Sequence, residues 1–313
     1  MKTDHFPVSL PVITFFTLAL FCLTPFCAPP LALLLGVGIG VSLGNPYPER
    51  SKAVSGFLLK VCIVLLGFGM DIALVIQAGA QGFVFAATMI AATLLLGALL
   101  GRWLGIAPRT ALLISAGTAI CGGSAIAAVG SVTKAENSEM SIAIGTVFLL
   151  NAVGLYLFPV LGHWLHLSQM QFGTWAGVAI HDISSVVGAA SGYGAEALQT
   201  GIAVKLSRTL WIVPLALAAA WRYGDRSVSG IKVPWFIGLF ILASCARSFI
   251  PGMESLIPLT SGIALAGLSL TLFLIGAGIN MKNLQAVGWP PLLQGVVLWV
   301  FVSVTSLAVI LTF

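Results

Sequence analysis

The chain has 313 residues, of which 59% are hydrophobic and only 7% charged, where a soluble domain carries about 25% charged residues. So few charges cannot build a water-facing surface, and a mean hydropathy of +1.08 places most of the chain in lipid. The formal net charge of +5 does not mark a nucleic-acid surface, because the basic residues sit singly in short loops between apolar runs, as topology determinants do.

Lipid satisfies no exposed N–H or C=O group, so spanning segments must be helices or a closed barrel. A barrel would alternate apolar and polar residues over segments of roughly 10 residues. Runs such as 82–100 and 140–161 are continuously apolar instead, which predicts an all-α polytopic membrane protein in a single domain, 1–313. In chain order there are about eleven apolar segments: 9–27, 30–43, 53–76, 82–101, 108–132, 140–161, 172–192, 197–221, 233–249, 259–280 and 287–313. The first follows Lys2 and is read as a retained span, since no small-x-small cleavage site stands out. The second is short for a span of about 20 residues. Glycine or polar residues interrupt the fifth and seventh.

With the N-terminus in the cytoplasm, the inner side collects Lys2, Arg50, Lys52, Arg102, Arg109, Arg222, Arg226, Lys232 and Lys282, against Lys134 and Arg247 outside. This bias predicts an inner-membrane protein with an odd number of crossings and an outer C-terminus. Within the segments there is an echo: Leu65-Leu66-Gly67-Phe68-Gly69-Met70-Asp71-Ile72 resembles Leu274-Ile275-Gly276-Ala277-Gly278-Ile279-Asn280-Met281. The copies end on opposite sides in this count, as an inverted repeat would. Two glycine-rich helix ends with polar caps would look the same, and the interrupted segments do not follow the copies at equal spacing.

The first interruption reads Gly117-Thr118-Ala119-Ile120-Cys121-Gly122-Gly123-Ser124-Ala125-Ile126. Adjacent mid-span glycines each weaken a helix by about 1 kcal/mol relative to alanine. Ser124 then stands at a natural N-cap position, so residues 125–132 are expected to begin a second half-helix whose free N–H groups and positive end favour an anion. The competing reading is a small-residue seam for close helix packing. Cys121, Gly122, Gly123 and Ser124 are the substrate-binding candidates.

The second interruption, Ala179-Ile180-His181-Asp182-Ile183-Ser184-Ser185-Val186, puts a His-Asp pair in an apolar context. A charge at the bilayer centre costs about 2.5–3.5 kcal/mol on insertion scales. The pair is suited to carrying a coupling proton; alternatively Asp182, Ser184 and Ser185 cap another half-helix. A Ser-His-Asp hydrolase is not indicated, since no nucleophile elbow is present. Lys205 and Arg208, at i and i+3, share one helix face. At membrane depth Lys60, Lys205 and Arg208 stand against Asp71 and Asp182, one positive charge in excess, which favours an anionic solute unless the two cations snorkel or pair with the aspartates.

The remaining features are weaker. Lys60 and Asp71 share a helix face three turns apart, Asn151 is placed to bond a neighbouring helix, and the loop around Glu49 is an ordinary cytoplasmic one. His163 and His166 have one HxxH spacing and no third ligand, so neither metal nor cofactor is expected. Cys22, Cys27, Cys62, Cys121 and Cys245 form no CxxC pair and read as small hydrophobes. No GxxxxGK[ST] motif is present, which argues against primary pumping.

The stretch 117–126, His181-Asp182, Lys205-Leu-Ser-Arg208 and the Leu-Gly-x-Gly-Met-Asp run ending at Asp71 together resemble the YeiH-type sulfate exporter family, over nearly the whole chain. That family is grouped with cation/proton antiporters and bile-acid symporters. The resemblance implies inverted repeats, broken crossing helices and an elevator-like or rocking mechanism.

The expectation is a secondary transporter for a small anion such as sulfate or an organic sulfonate, coupled to protons or sodium. Substrate is assigned to Cys121, Gly122, Gly123, Ser124, Ser184, Ser185, Lys205 and Arg208, and the coupling ion to His181, Asp182, Asp71 and Asn280. Its partners are then the anion, the coupling ion and membrane lipid, with a homodimer admitted and no nucleic acid. A cation/proton antiporter would use Asp182 and Asp71 as carriers. A structural subunit would turn the same polar residues towards protein partners. An enzyme would need a metal cluster or an activated nucleophile, and the sequence offers neither.

Overall fold

The computed structural model describes residues 10–223, 235–278 and 288–312, and among these the regular structure is helical with no strand. In order the helices are α1 (Leu10–Phe21), α2 (Pro29–Ser42), α3 (Pro48–Gly67), α4 (Ile72–Trp103), α5 (Pro108–Ala119), α6 (Gly123–Val132), α7 (Asn137–Trp164), α8 (Gln169–Ala179), α9 (Ile183–Tyr193), α10 (Ala195–Thr209), α11 (Ile212–Tyr223), α12 (Trp235–Phe249), α13 (Ile257–Ala277) and α14 (Trp289–Thr312). Their starts follow elementary chemistry. Proline opens α2, α3, α5 and α13, where a missing N–H costs nothing. Reciprocal capping boxes, Glu136 with Glu139 and Ser168 with Gln171, open α7 and α8.

Among the described residues five helices are long and apolar enough to cross a membrane: Val84–Trp103, Asn137–Trp164, Ala195–Arg222, Met253–Ala277 and Trp289–Thr312. Their outward faces carry Leu95, Val160 and Val304 in the open, a surface that only lipid solvates at low cost. Trp103, Trp164, Trp221 and Trp289 stand exposed at helix ends, where amphipathic rings settle at the headgroups. The chain is a multi-pass α-helical membrane protein.

Close approaches fix the helix directions. Near the start of α14, Gln294 donates to Ala111 O of α5 (3.1 Å), and Gly295 faces Thr146 of α7. Further on, Trp299 faces Gly154. Thus α5, α7 and α14 set out from one face and run together. Since α5 and α7 start on the same face, α6 must return to it, and Ile126 folds back against Gly117, 2.9 Å from where a methyl would stand. The second break behaves likewise: Glu196 N donates to Gln169 Oε1 (3.1 Å) and Tyr193 OH to Leu167 O (2.7 Å), so α9 ends beside the start of α8. α10 then runs parallel to α8, with Gly173 against Ala197 O and Gly177 against Gly201 O.

The interruptions are therefore breaks, as expected, but the two segments do not cross: each is a helical hairpin that enters and leaves on one face. α5–α6 enters from the face of Trp103. α8–α9 enters from the opposite face, where Gln199 Nε2 donates to Gly69 O (3.2 Å). Opposed hairpins stand in the relation that an inverted repeat produces.

The first two segments form a third hairpin. Gly36 and Gly276 press α2 against α13 so closely that a methyl on Gly276 would lie 2.6 Å from Leu33 O. Cys27 O accepts from Ser269 Oγ (2.8 Å). Ser269 is twelve residues into α13, about 18 Å along it, so the α1–α2 turn stops at mid-depth. Hydrocarbon leaves no water for that turn. Pro25, Pro29 and Pro30 have no N–H to satisfy, and Tyr156 OH donates to Pro30 O (2.9 Å).

Among the described residues this sets α3, α4, α7, α10 with α11, α12, α13 and α14 between the two faces, beside the eleven apolar segments expected; five of them have the length and apolarity of a span. α1, α2, α3, α12 and α13 pack as one group and the remaining helices as another. They meet where Gly188 of α9 faces Leu155 and Leu272, beside Leu33. In the echo, Gly67 and Gly276 do one job at opposite faces, each admitting a neighbouring backbone, Phe240 O and Leu33 O. Asn280 lies outside the described residues.

Candidate functional site

The tips of the two opposed hairpins, Ile120-Cys121-Gly122 and Ile180-His181-Asp182, meet inside the second group. Gly122 makes the first tip possible. Its φ of 63° and ψ of −126° mirror an extended conformation that L-residues avoid. A methyl there would lie 3.3 Å from Val147 and 3.5 Å from His181 O. Gly122 is also the N-cap of α6, with no side-chain cap. Ser124, expected as the cap, instead falls within the first turn and faces outward, away from the tips. The left-handed glycine turns the chain two residues earlier than the serine pattern suggested.

At the second tip Asp182 is the N-cap of α9. Its carboxylate accepts from Ser184 N (3.1 Å) and from the Ser184 hydroxyl. Its charge therefore sits at the positive end of a half-helix, so the capping reading of Asp182 and Ser184 holds. Ser185 is buried beside them. The side chains of His181 and Asp182 point opposite ways, as those of adjacent residues on extended backbone do. The His181 ring turns towards Trp299 of α14, with centroids 6.4 Å apart. Asn151 of α7 pins the tip, its Oδ1 accepting from His181 N (3.1 Å) and Asp182 N (3.2 Å).

Lys205 and Arg208 sit on α10 between the tips and are 0% and 1% exposed. They do not snorkel, and among the described residues neither is ion-paired with an aspartate. Lys205 Nζ donates to Ile180 O at the end of α8, and Arg208 Nη2 to Ala119 O at the end of α5, each at 2.5 Å. Each cation thus stands at the negative end of a half-helix, which offsets the repulsion expected of two cations one turn apart. Cys121 is buried in the first tip.

Asp71 lies elsewhere. It caps α4, accepting from Ala73 N (2.8 Å), and faces Arg247 at 3.8 Å on the membrane face where α3 ends, its side chain 45% exposed. It does not join His181 and Asp182. Lys60 is half-buried on α3, in the other helical group.

Around the tips, polar atoms with no hydrogen-bond partner among the described residues accumulate: Thr118 Oγ1, Asn151 Nδ2, both His181 ring nitrogens, Arg208 Nε and Nη1, and Trp299 Nε1. Thr118, Asn151 and Trp299 were not singled out as site residues. For Asn151 a signal existed, a lone amide mid-span. For Trp299 it was position, a tryptophan ten residues into α14 rather than at its end.

A membrane protein with opposed re-entrant hairpins around a buried cationic centre is the class that this geometry defines. The chain belongs to the family described as Conserved hypothetical protein 698, whose model matches residues 12–295, and the YeiH-type resemblance agrees with it. Similar proteins are the UPF0324 membrane proteins of Bacteroides thetaiotaomicron, 46% identical over 90% of this chain and 86% of that protein, and of Porphyromonas gingivalis, 47% identical over 92% and 88%. That of Bdellovibrio bacteriovorus is 45% identical over 94% of this chain and 92% of its own. No solved structure matches.

Proposed function

We propose that the protein is a secondary transporter that moves a small anion, sulfate or an organic sulfonate, through a site between the two hairpin tips, coupled to protons or sodium. The observation that carries this reading is the charge and hydrogen-bond balance of the tips. Two half-helix C-termini and two N-termini meet there, so their partial charges cancel. Lys205 and Arg208 against Asp182 then leave one positive charge. The unmet polar atoms are mostly donors, as an acceptor-rich anion requires. A purely structural junction would leave them unexplained, since buried polar groups are normally satisfied. Cation/proton antiport is the weaker reading, because Asp71 is held on a membrane face and Asp182 is committed to its cap.

The distribution of charge supports an assignment of sidedness. In this topology Arg50, Lys52, Arg102, Arg109, Lys134 and Arg222 lie towards the face from which α5–α6 enters, and Arg247 towards the other. Lys134 moves to the basic side relative to the sequence-based count, which sharpens the bias. This supports an inner-membrane protein with a cytoplasmic N-terminus and an outer C-terminus. The thin leucine seam between the helical groups is where one would slide or rock against the other.

The test is uptake of labelled sulfate by proteoliposomes. Lys205→Ala and Arg208→Ala each abolish flux, because each strands a buried helix end. Normal flux in the double variant would refute the site. A sodium- or potassium-driven pH jump with no anion flux would establish antiport instead.

A further inference from the structure

Lys205 is a site residue on the anion-transport reading, and what holds its charge in place can be traced through the backbone of the second tip. A helix that ran on past Ile180 would tie His181 N and Asp182 N to the carbonyls of Gly177 and Val178, four residues back. α8 stops instead, its last bond running from Ile180 N to Ala176 O (3.0 Å). The next two N–H groups both go to one atom, Asn151 Oδ1 of α7, at 3.1 and 3.2 Å. The first tip closes on its own backbone: Ile120 N donates to Ala116 O (3.1 Å) and Gly122 N to Gly117 O (2.9 Å). The second tip thus depends on a side chain from another helix. Asn151 is 3% exposed, so solvent does not stand in for it.

His181 N and Ile180 O belong to one peptide group. Such a group is planar and trans, so its N–H and C=O point in opposite directions. Asn151 of α7 holds the N–H end, and Lys205 Nζ of α10 donates to the C=O end. One peptide plane therefore bridges two helices, and neither end turns without moving the other. Hydrogen bonds in such a row also polarise one another: a cation on the carbonyl makes the N–H a better donor. We infer that Asn151 is a positioning residue for Lys205. It acts through the 180–181 peptide, fixing the carbonyl to which the ammonium is tied and so the place of that charge between the tips. The rest of the same face of α7 fits this role. Val147, one turn before Asn151, faces Gly117 and Gly122 of the first tip, and Gly154, three residues after it, faces Ile180.

The chain has four histidines, so labelling histidine with heavy nitrogen gives a sparse amide spectrum of the full-length protein in lipid nanodiscs, and the His181 signal is the one lost in His181→Gln. Asn151→Leu removes the acceptor at similar volume, and the His181 amide exchanges its hydrogen about tenfold faster. Asn151→Asp keeps the acceptor oxygen and restores the protection. Lys205→Met keeps the stem and removes the ammonium. It shifts the His181 amide and speeds its exchange although Asn151 is intact, which tests the bridge even if Asn151→Leu does not fold. In the double variant Asn151→Leu/Lys205→Met the acceleration is smaller than the product of the single effects, because either change alone frees the same peptide. In proteoliposomes Asn151→Leu raises the KM for labelled sulfate about tenfold. A His181 amide that Lys205→Met leaves unmoved, or single effects that multiply in the double variant, would overturn the inference while leaving the transport reading in place. Coupled His181 shifts in a wild-type protein that takes up no sulfate would uphold the positioning of Lys205 by Asn151 and overturn the transport reading.

Discussion

Replacing Gly122 and Gly123 separately by alanine probes the first hairpin tip, because neighbouring glycines there do opposite things. At Gly122 the backbone stands at φ 63°, ψ −126°. An L-residue held in so sparsely populated a region costs about 1–3 kcal/mol, and the added methyl would also crowd Val147 at 3.3 Å. Gly123 is the first residue of α6, and a methyl there meets only Phe148 at 3.8 Å. Alanine in helical conformation gains about 0.5–1 kcal/mol over glycine. The two substitutions therefore shift stability in opposite directions. At a few degrees per kcal/mol for a chain of this size, Gly122→Ala lowers the thermal midpoint by about 2–8 °C, while Gly123→Ala leaves it level or slightly raised. A thermal-shift assay on purified protein reads both, and flux in proteoliposomes falls with Gly122→Ala alone. Equal midpoints for the two variants, or a larger loss for Gly123→Ala, would refute the tip geometry.

Two further outcomes follow from the fold. Asp71→Asn removes an exposed ion pair worth about 0–1 kcal/mol, so stability and anion flux stay near wild type; loss of flux would return Asp71 to the site. In a background with the native cysteines replaced, Phe26→Cys at the α1–α2 tip resists an impermeant maleimide from either side of the membrane, whereas Ser255→Cys reacts from the outside. Rapid outside labelling of Phe26→Cys would show that α1 and α2 are full spans.

Much of the site was legible because hydrocarbon makes polarity conspicuous. Gly122 and Gly123 marked one break and His181-Asp182 the other, since neither pattern belongs in an uninterrupted span. Lys205 and Arg208 stood out as two cations on one face with no aspartate in reach along the helix. What their partners are was not legible. The carbonyls of Ile180 and Ala119 become acceptors only where a helix stops, and that is a property of backbone geometry rather than of residue type. That the His181 and Asp182 side chains part was hidden for a related reason: adjacency in sequence says nothing of direction once the chain is extended.

Composition and hydropathy by themselves determined that this is an all-α membrane protein with interrupted segments at membrane depth. A polar group in lipid is so costly that its position in an apolar run is information enough. Whether an interrupted segment passes through the membrane or turns back was decided only by tertiary structure. A half-helix followed by another has the same hydropathy either way, and the difference lies in whether Ile126 folds against Gly117, and the Gly194 end of α9 against Gln169. Those contacts, together with the carbonyls that close Lys205 and Arg208 between two tips, join residues far apart in the chain, and no local pattern encodes them.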